Sequence, residues 1–183
     1  MIKTKGLNFK YNNQASFDFP DIKLGKDENL LIIGSSGIGK TTLLHLLAGL
    51  LECNSGSISI YGQDICKLTQ YQIDKFRGQN IGIVFQKPHF VNSLTVKENL
   101  QLAQYLGNKE DQNRIIDILS SLDILDKQNQ KPKKLSQGEK QRASIAMAIV
   151  NSPKLILADE PTSSLDDINC ERVIKILKKQ ASE

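Results

Sequence analysis

Residues 30–42 read Leu-Leu-Ile-Ile-Gly-Ser-Ser-Gly-Ile-Gly-Lys-Thr-Thr. Four apolar residues, a glycine-rich turn and the start of an apolar-periodic stretch, Lys40–Leu51, predict a buried strand, a loop and a helix in succession. Gly34–Thr41 fits GxxxxGK[ST], a pattern that carries phosphate chemistry when it lies between a strand and a helix. Glycines let consecutive backbone N–H groups converge on an anion, and the helix N-terminus adds its dipole. The expected nucleotide-binding set is therefore Gly34, Ser35, Ser36, Gly37, Ile38, Gly39, Lys40, Thr41 and Thr42. Lys40 supplies a point charge to the β- and γ-phosphates, the Thr41 hydroxyl ligates Mg²⁺, and Thr42 can hydrogen-bond a phosphate oxygen.

Two further stretches carry chemistry. Leu155-Ile156-Leu157-Ala158-Asp159-Glu160 reads as an apolar strand ending in two acids. In nucleotide hydrolases with such a loop, the first acid holds Mg²⁺, here Asp159 through water, and an adjacent acid, here Glu160, activates the attacking water. Leu135-Ser136-Gln137-Gly138-Glu139 opens a helix. Ser136 is a good N-cap and Glu139 stands at capping-box distance, so the start is also a place for an anion.

Around these stretches the chain alternates strands and helices. Leu7, Phe9 and Tyr11 alternate, as do Phe17 and Phe19; residues 57–60 and 81–85 read as strands. From about 95 to 126 the apolar period becomes 3.6, giving two amphipathic helices, followed by a helix over Gln137–Val150 and a last one from Asp167 to about Lys179. The fold class expected is α/β, a core with a mostly parallel sheet, antiparallel N-terminal strands and an inserted helical lobe. The core takes residues 1–86 and 153–183, and the lobe about 87–152, in a single domain.

The composition restricts the alternatives. At 183 residues with 39% apolar and 24% charged residues, the chain is globular. The net charge of +4 gives no basic footprint for nucleic acid. The three cysteines, Cys53, Cys66 and Cys170, form no CxxC pair and fit a reducing compartment without a disulfide framework or zinc site. No apolar run reaches the length of a membrane span. His45 and His89 read as packed and surface residues, and Phe90, Val91 and Leu94 as an apolar cluster suited to a partner.

Taken together, the Gly34–Thr41 loop, Gln86 after a strand, LSQGE at 135–139, LILADE at 155–160 and Ser163-Ser164-Leu165-Asp166 resemble the ATP-binding cassette (ABC) ATPases along essentially the whole chain. The resemblance implies an ATP-binding and ATP-hydrolysing subunit of a membrane transporter, peripheral on the cytoplasmic face of the cell membrane and serving an integral membrane partner. It implies ATP and Mg²⁺ as cofactors and a head-to-tail homodimer in the ATP-bound state, with Ser136, Gln137, Gly138 and Glu139 acting on the opposing subunit's ATP. Tyr11 sits where the family stacks an aromatic on adenine. Gln86 matches the glutamine that reaches Mg²⁺ and the attacking water, and Asp166 the aspartate that crosses the dimer interface. Glu160, Lys40 and Gln86 are the expected catalytic residues.

Residues 81–86 and 92–99 look most like the lipoprotein-releasing and macrolide-export subgroup. Gln137 and Met147 depart from the family, which has a second glycine and an arginine there. The family also carries a switch histidine after one further strand. Neither His45 nor His89 can stand for it, so the chain reads as a fragment with slow turnover. The alternatives are a nucleotide-binding switch with little hydrolysis and a soluble DNA-associated ABC ATPase.

Overall fold

Strand β1 (Ile2–Lys10) organises the first third of the protein. It pairs antiparallel with β2 (Ser16–Asp18), β3 (Lys23–Leu24) and β4 (Ser55–Ile60), and β4 in turn pairs with β5 (Gln63–Asp64). Ile2 and Thr4 are buried, then the phase slips and Leu7 and Phe9 are buried. The slip is a bulge: the β1–β4 register shifts between Lys5 and Asn8, around Gly6 at φ 56°. Opposite it, Gly56 has φ 87°, and any Cβ there would run into the Gly6 carbonyl. The bulge thus keeps Leu7 and Phe9 buried despite the broken alternation. Helix α1 (Lys40–Leu47) buries Thr42, Leu43, Leu46 and Leu47.

The computed structural model describes residues 1–11, 16–161 and 167–181. It divides into two compact units, Met1–Asp74 and Lys75–Glu183. In the second, β6 (Ile81–Val84) and β7 (Leu155–Ala158) pair in parallel, with Ile81 opposite Leu155 and Val84 opposite Ala158. Helices α3 (Val96–Leu106), α4 (Gln112–Ser121) and α5 (Gln137–Ile149) and Val173 of α6 (Asp167–Ala181) contribute to one apolar core that includes Leu100, Ile115, Leu119, Ile145 and Ile149. Thr95 and Glu98 form a capping box on α3, and Asp111 caps α4 by accepting from the Arg114 N–H. Past the end of α5, the buried Asn151 donates from Nδ2 to the carbonyls of Gly78 and Ala103 at 3.1 and 2.8 Å, and its own carbonyl accepts from Lys109 Nζ.

Three sequence expectations change. Leu30–Ile33 does not form a buried strand: it belongs to neither sheet among the described residues, and Leu31 and Ile33 are 80% and 84% exposed. A parallel strand of this apolar type is fixed by ladder partners on its flanks, and none of the described strands pairs with it. Among the described residues the parallel pairing is accordingly β6–β7, and antiparallel pairings predominate. Second, α2 (Gln70–Asn80) was not foreseen, because its sequence is mostly polar and only Ile73 is buried. Third, Cys53 and Cys66 are joined by a disulfide while Cys170 is free; spacing along the chain does not report distance between turns that fold together.

Candidate functional site

In the first unit, residues 34–38 form an exposed turn that runs through the buried Gly39 into α1. Gly37 has φ 82° and Gly39, the residue before the helix, φ 103°. A Cβ on Gly39 would meet Phe17 Cδ1 at 2.8 Å, so both backbone and packing require glycine. Lys40 follows at once, and its Nζ donates to the carbonyls of Gly34 and Ser35 at 2.8 and 2.9 Å. The ammonium is thereby held back over its own loop. Thr41 is exposed and Thr42 buried.

Tyr11 Oη and Thr42 Oγ1 share a hydrogen bond of 3.2 Å. The Tyr11 ring stands edge-on to Phe9 and Phe17, with centroids 4.7 and 6.3 Å away. A short aromatic row, Phe9–Tyr11–Phe17, with Phe19 stacked on Phe17, therefore supports the loop from β1 and β2. Positive-φ glycines, an exposed turn, a poised ammonium and two hydroxyls fit a polyphosphate.

In the second unit, the β6–β7 ladder is continued by the Asp159 N–H, which donates to the Val84 carbonyl at 2.9 Å. The two chains leave the sheet side by side, and Gln86 Nε2 donates to Glu160 Oε2 at 2.7 Å. Glu160 occupies the left-handed region at φ 47°, which a residue with a Cβ adopts at a cost of about 1–3 kcal/mol. Asp159 is half-buried and Glu160 exposed.

Ser136 caps α5 as the sequence suggested. Its N–H donates to Glu139 Oε2 at 2.7 Å, and the Glu139 N–H donates to Ser136 Oγ at 3.3 Å. Hydrogen bonds to its carboxylate from the Ser136 N–H and from the Ser136 hydroxyl, aided by the nearby Lys127 ammonium at 3.6 Å, hold the Glu139 carboxyl below the usual range. Ser136 and Gln137 are exposed, Gly138 half-buried. Ser163, Ser164, Leu165 and Asp166 lie outside the described residues.

Sequence reasoning missed Gln141. It is 1% exposed, and its Nε2 donates to the Pro161 carbonyl at 2.9 Å, tying α5 to the turn that carries Glu160. Its inward placement was legible from Gln141, Ser144 and Ala148, which recur on one helical face and are all buried.

Beside Gln86 lies an open groove of about 860 Å³ lined by Pro88, Phe90, Val91, Leu102, Leu106 and Met147, with Lys87, Lys133 and Lys140 also on its walls. Phe90 and Met147 pack partly against the core, whereas Val91 and Leu106 are exposed. Among the described residues, no helix is long and apolar enough to cross a membrane.

Residues 18–163 match the ABC transporter family. The lipoprotein-releasing system ATP-binding protein LolD of Bacteroides thetaiotaomicron is 36% identical over 93% of this chain and 80% of its own length. The LolD of Wigglesworthia glossinidia brevipalpis is 34% identical over 98% of this chain and 81% of its own. Among solved structures, the dimeric ATP-binding cassette MJ0796 in a post-hydrolysis state with ADP and Pi superposes with a TM-score of 0.90 at 29% identity, covering 99% of this chain and 83% of that one. The fold is thus the ABC cassette fold with its antiparallel N-terminal sheet. Loop, strand ends, capped helix and these likenesses together establish that the chain belongs to the ABC transporter family, as an ATP-binding ATPase subunit.

Proposed function

We propose that the chain binds ATP with Mg²⁺ as a head-to-tail homodimer at the cytoplasmic face of a membrane, where its hydrolysis cycle drives an integral membrane partner that moves a lipid-modified protein. The LolD relatives support the cargo, since their names describe a lipoprotein-releasing system. The dimer follows from MJ0796, solved in dimeric form.

The observation that carries the reading is the Gly34–Thr41 turn with the Lys40 ammonium held 2.8 and 2.9 Å from its carbonyls. Lys40 exchanges those carbonyls for phosphate oxygens, while the backbone N–H groups and the α1 N-terminus take the rest of the phosphate charge. Mg²⁺, when bound, would neutralise charge developing on the phosphates; the Thr41 hydroxyl and the Asp159 carboxylate, through water, are the hard oxygen donors that would hold it, with Gln86 as a third.

Glu160 accepts the proton of the attacking water, and the Gln86 amide sets the direction of its carboxylate. Tyr11 offers a ring beside the loop for adenine, with Thr42 fixing its hydroxyl. Ser136, Gln137, Gly138 and Glu139 present a pre-organised helix start to the nucleotide of the opposing copy, and Asp166 contacts that copy. Residues 1–86 with 153–183 act as nucleotide core and 87–152 as helical lobe. The groove beside Gln86 receives the membrane partner through an apolar segment bearing acidic groups, since its walls combine Phe90, Val91 and Met147 with three lysines. The net charge of +4 supports no nucleic-acid partner.

The test compares the parent with Lys40→Ala and Glu160→Gln. Lys40→Ala loses MgATP binding. Glu160→Gln keeps binding, loses turnover and accumulates as a dimer at saturating MgATP. A Lys40→Ala chain that binds as the parent does, or a Glu160→Gln chain that stays monomeric, contradicts the reading.

A further inference from the structure

Cys53 lies beyond the exit of α1, and Cys66 stands in the single helical turn Ile65–Lys67 that follows β5. Their Cα atoms are 5.8 Å apart across 13 positions, and the sulfurs are bonded. Both residues are half-buried, so a small thiol reagent reaches them from solvent. The chain around the two positions is also held by contacts other than the bond. The Cys66 N–H donates to Asp64 Oδ1 at 3.2 Å, and Asp64 is paired with Lys67 at 3.3 Å. Leu46, Leu51, Ile65 and Ile73 surround a small pocket that the two cysteines also line. Ile73 closes on Gly49, where no side chain has room. The cysteines therefore stay adjacent when the bond is absent, and an adjacent, accessible pair closes and opens readily.

We propose that Cys53 and Cys66 are a reversible redox site that staples the exit of the Lys40-bearing helix to the turn after β5. This inference stands apart from the ATPase reading, since no nucleotide or family property enters it. The co-reactant is an oxidised low-molecular-weight thiol such as glutathione disulfide. One cysteine thiolate attacks it, forms a mixed disulfide and releases one small thiol. The second cysteine attacks the mixed disulfide and releases the other. The protein loses two electrons and two protons, and the small disulfide gains both. In a reducing compartment the pair rests as thiols and the bond forms on oxidation, which reconciles it with the cysteine usage of the chain. Closing the 13-position loop restricts the unfolded chain, so the oxidised form unfolds at higher temperature.

The experiment equilibrates the full chain with reduced or oxidised glutathione, then counts thiols under denaturing conditions, measures intact mass, maps peptides and records thermal unfolding. The reduced protein exposes all three thiols. The oxidised protein keeps only Cys170, is lighter by two hydrogens, yields a Cys53–Cys66 peptide and melts roughly 6–12 °C higher. Cys170→Ser retains that shift, and Cys53→Ser and Cys66→Ser each abolish it. The proposal is overturned if three thiols remain after oxidation, if Cys170 enters the cross-link, or if the parent melts at one temperature in both states; none of these readouts uses ATP.

Discussion

The Gln86 amide nitrogen and the Glu160 carboxylate, 74 positions apart in sequence, are joined by a 2.7 Å hydrogen bond. The parallel register of β6 and β7 produces it, because Val84 faces Ala158 and both chains leave the sheet at the same level. The bond uses one N–H of the Gln86 amide and leaves its oxygen as the acceptor that can meet a cation. Glu160→Gln lowers kcat about 10²–10⁴-fold with ATP affinity retained, because only the proton acceptor is lost. Gln86→Ala leaves the carboxylate in place but undirected, and a milder fall of up to roughly 10²-fold is expected. Steady-state phosphate release beside equilibrium ATP binding separates the two effects.

Gly39→Ala strikes the loop twice, through φ 103° and through the 2.8 Å approach of Phe17. The backbone strain alone costs about 1–3 kcal/mol. The loop reshapes, and ATP affinity falls at least tenfold while the far-ultraviolet spectrum stays near that of the parent. Adding Phe17→Ala relieves the clash but not the dihedral, so titration of the double variant shows partial recovery.

Gln141→Leu leaves the Pro161 carbonyl without its 2.9 Å donor. Losing this hydrogen bond at a half-buried acceptor costs about 0.5–1.5 kcal/mol, read as a lower urea midpoint. Because that carbonyl follows Glu160 directly, kcat falls while KM for ATP holds. A variant that is destabilised yet turns over normally assigns Gln141 to packing alone.

The Glu139 carboxyl is held below its ordinary range, first by the Ser136 N–H, then by the Ser136 hydroxyl and the Lys127 charge. A depressed folded-state pKa stabilises the protein above the usual glutamate range, and the benefit disappears as pH falls through the folded value. Glu139→Gln preserves the cap geometry without the titration. The parent's stability advantage over this variant therefore shrinks as pH falls from neutral through and below the usual glutamate range, and denaturant midpoints across that range check it. Added salt reduces only the part contributed by Lys127.

Legibility followed the range of the interactions. The glycine loop and the Ser136 cap are set by residues three or four positions apart, so their letters suffice. Leu30–Ile33 failed because an apolar quartet states that a strand can form but not which neighbours it will meet. Glu160 is legible from its chemistry, yet its left-handed backbone leaves no trace in composition. The Cys53–Cys66 bond joins two turns whose meeting is decided by β4, β5 and α1 together. Helix α2 lacks an apolar stripe, so periodicity passed over it.

Asn151 has a consequence for amide hydrogen exchange. One side chain bonds a carbonyl of α2 and a carbonyl of α3 just beyond the end of α5, and Gly107 passes too close to admit even a methyl group. Fraying of the trailing turns of α2 and α3 must break the same amide contact. Their slow protons therefore exchange as one group, with a shared opening free energy, and not as independent helix ends.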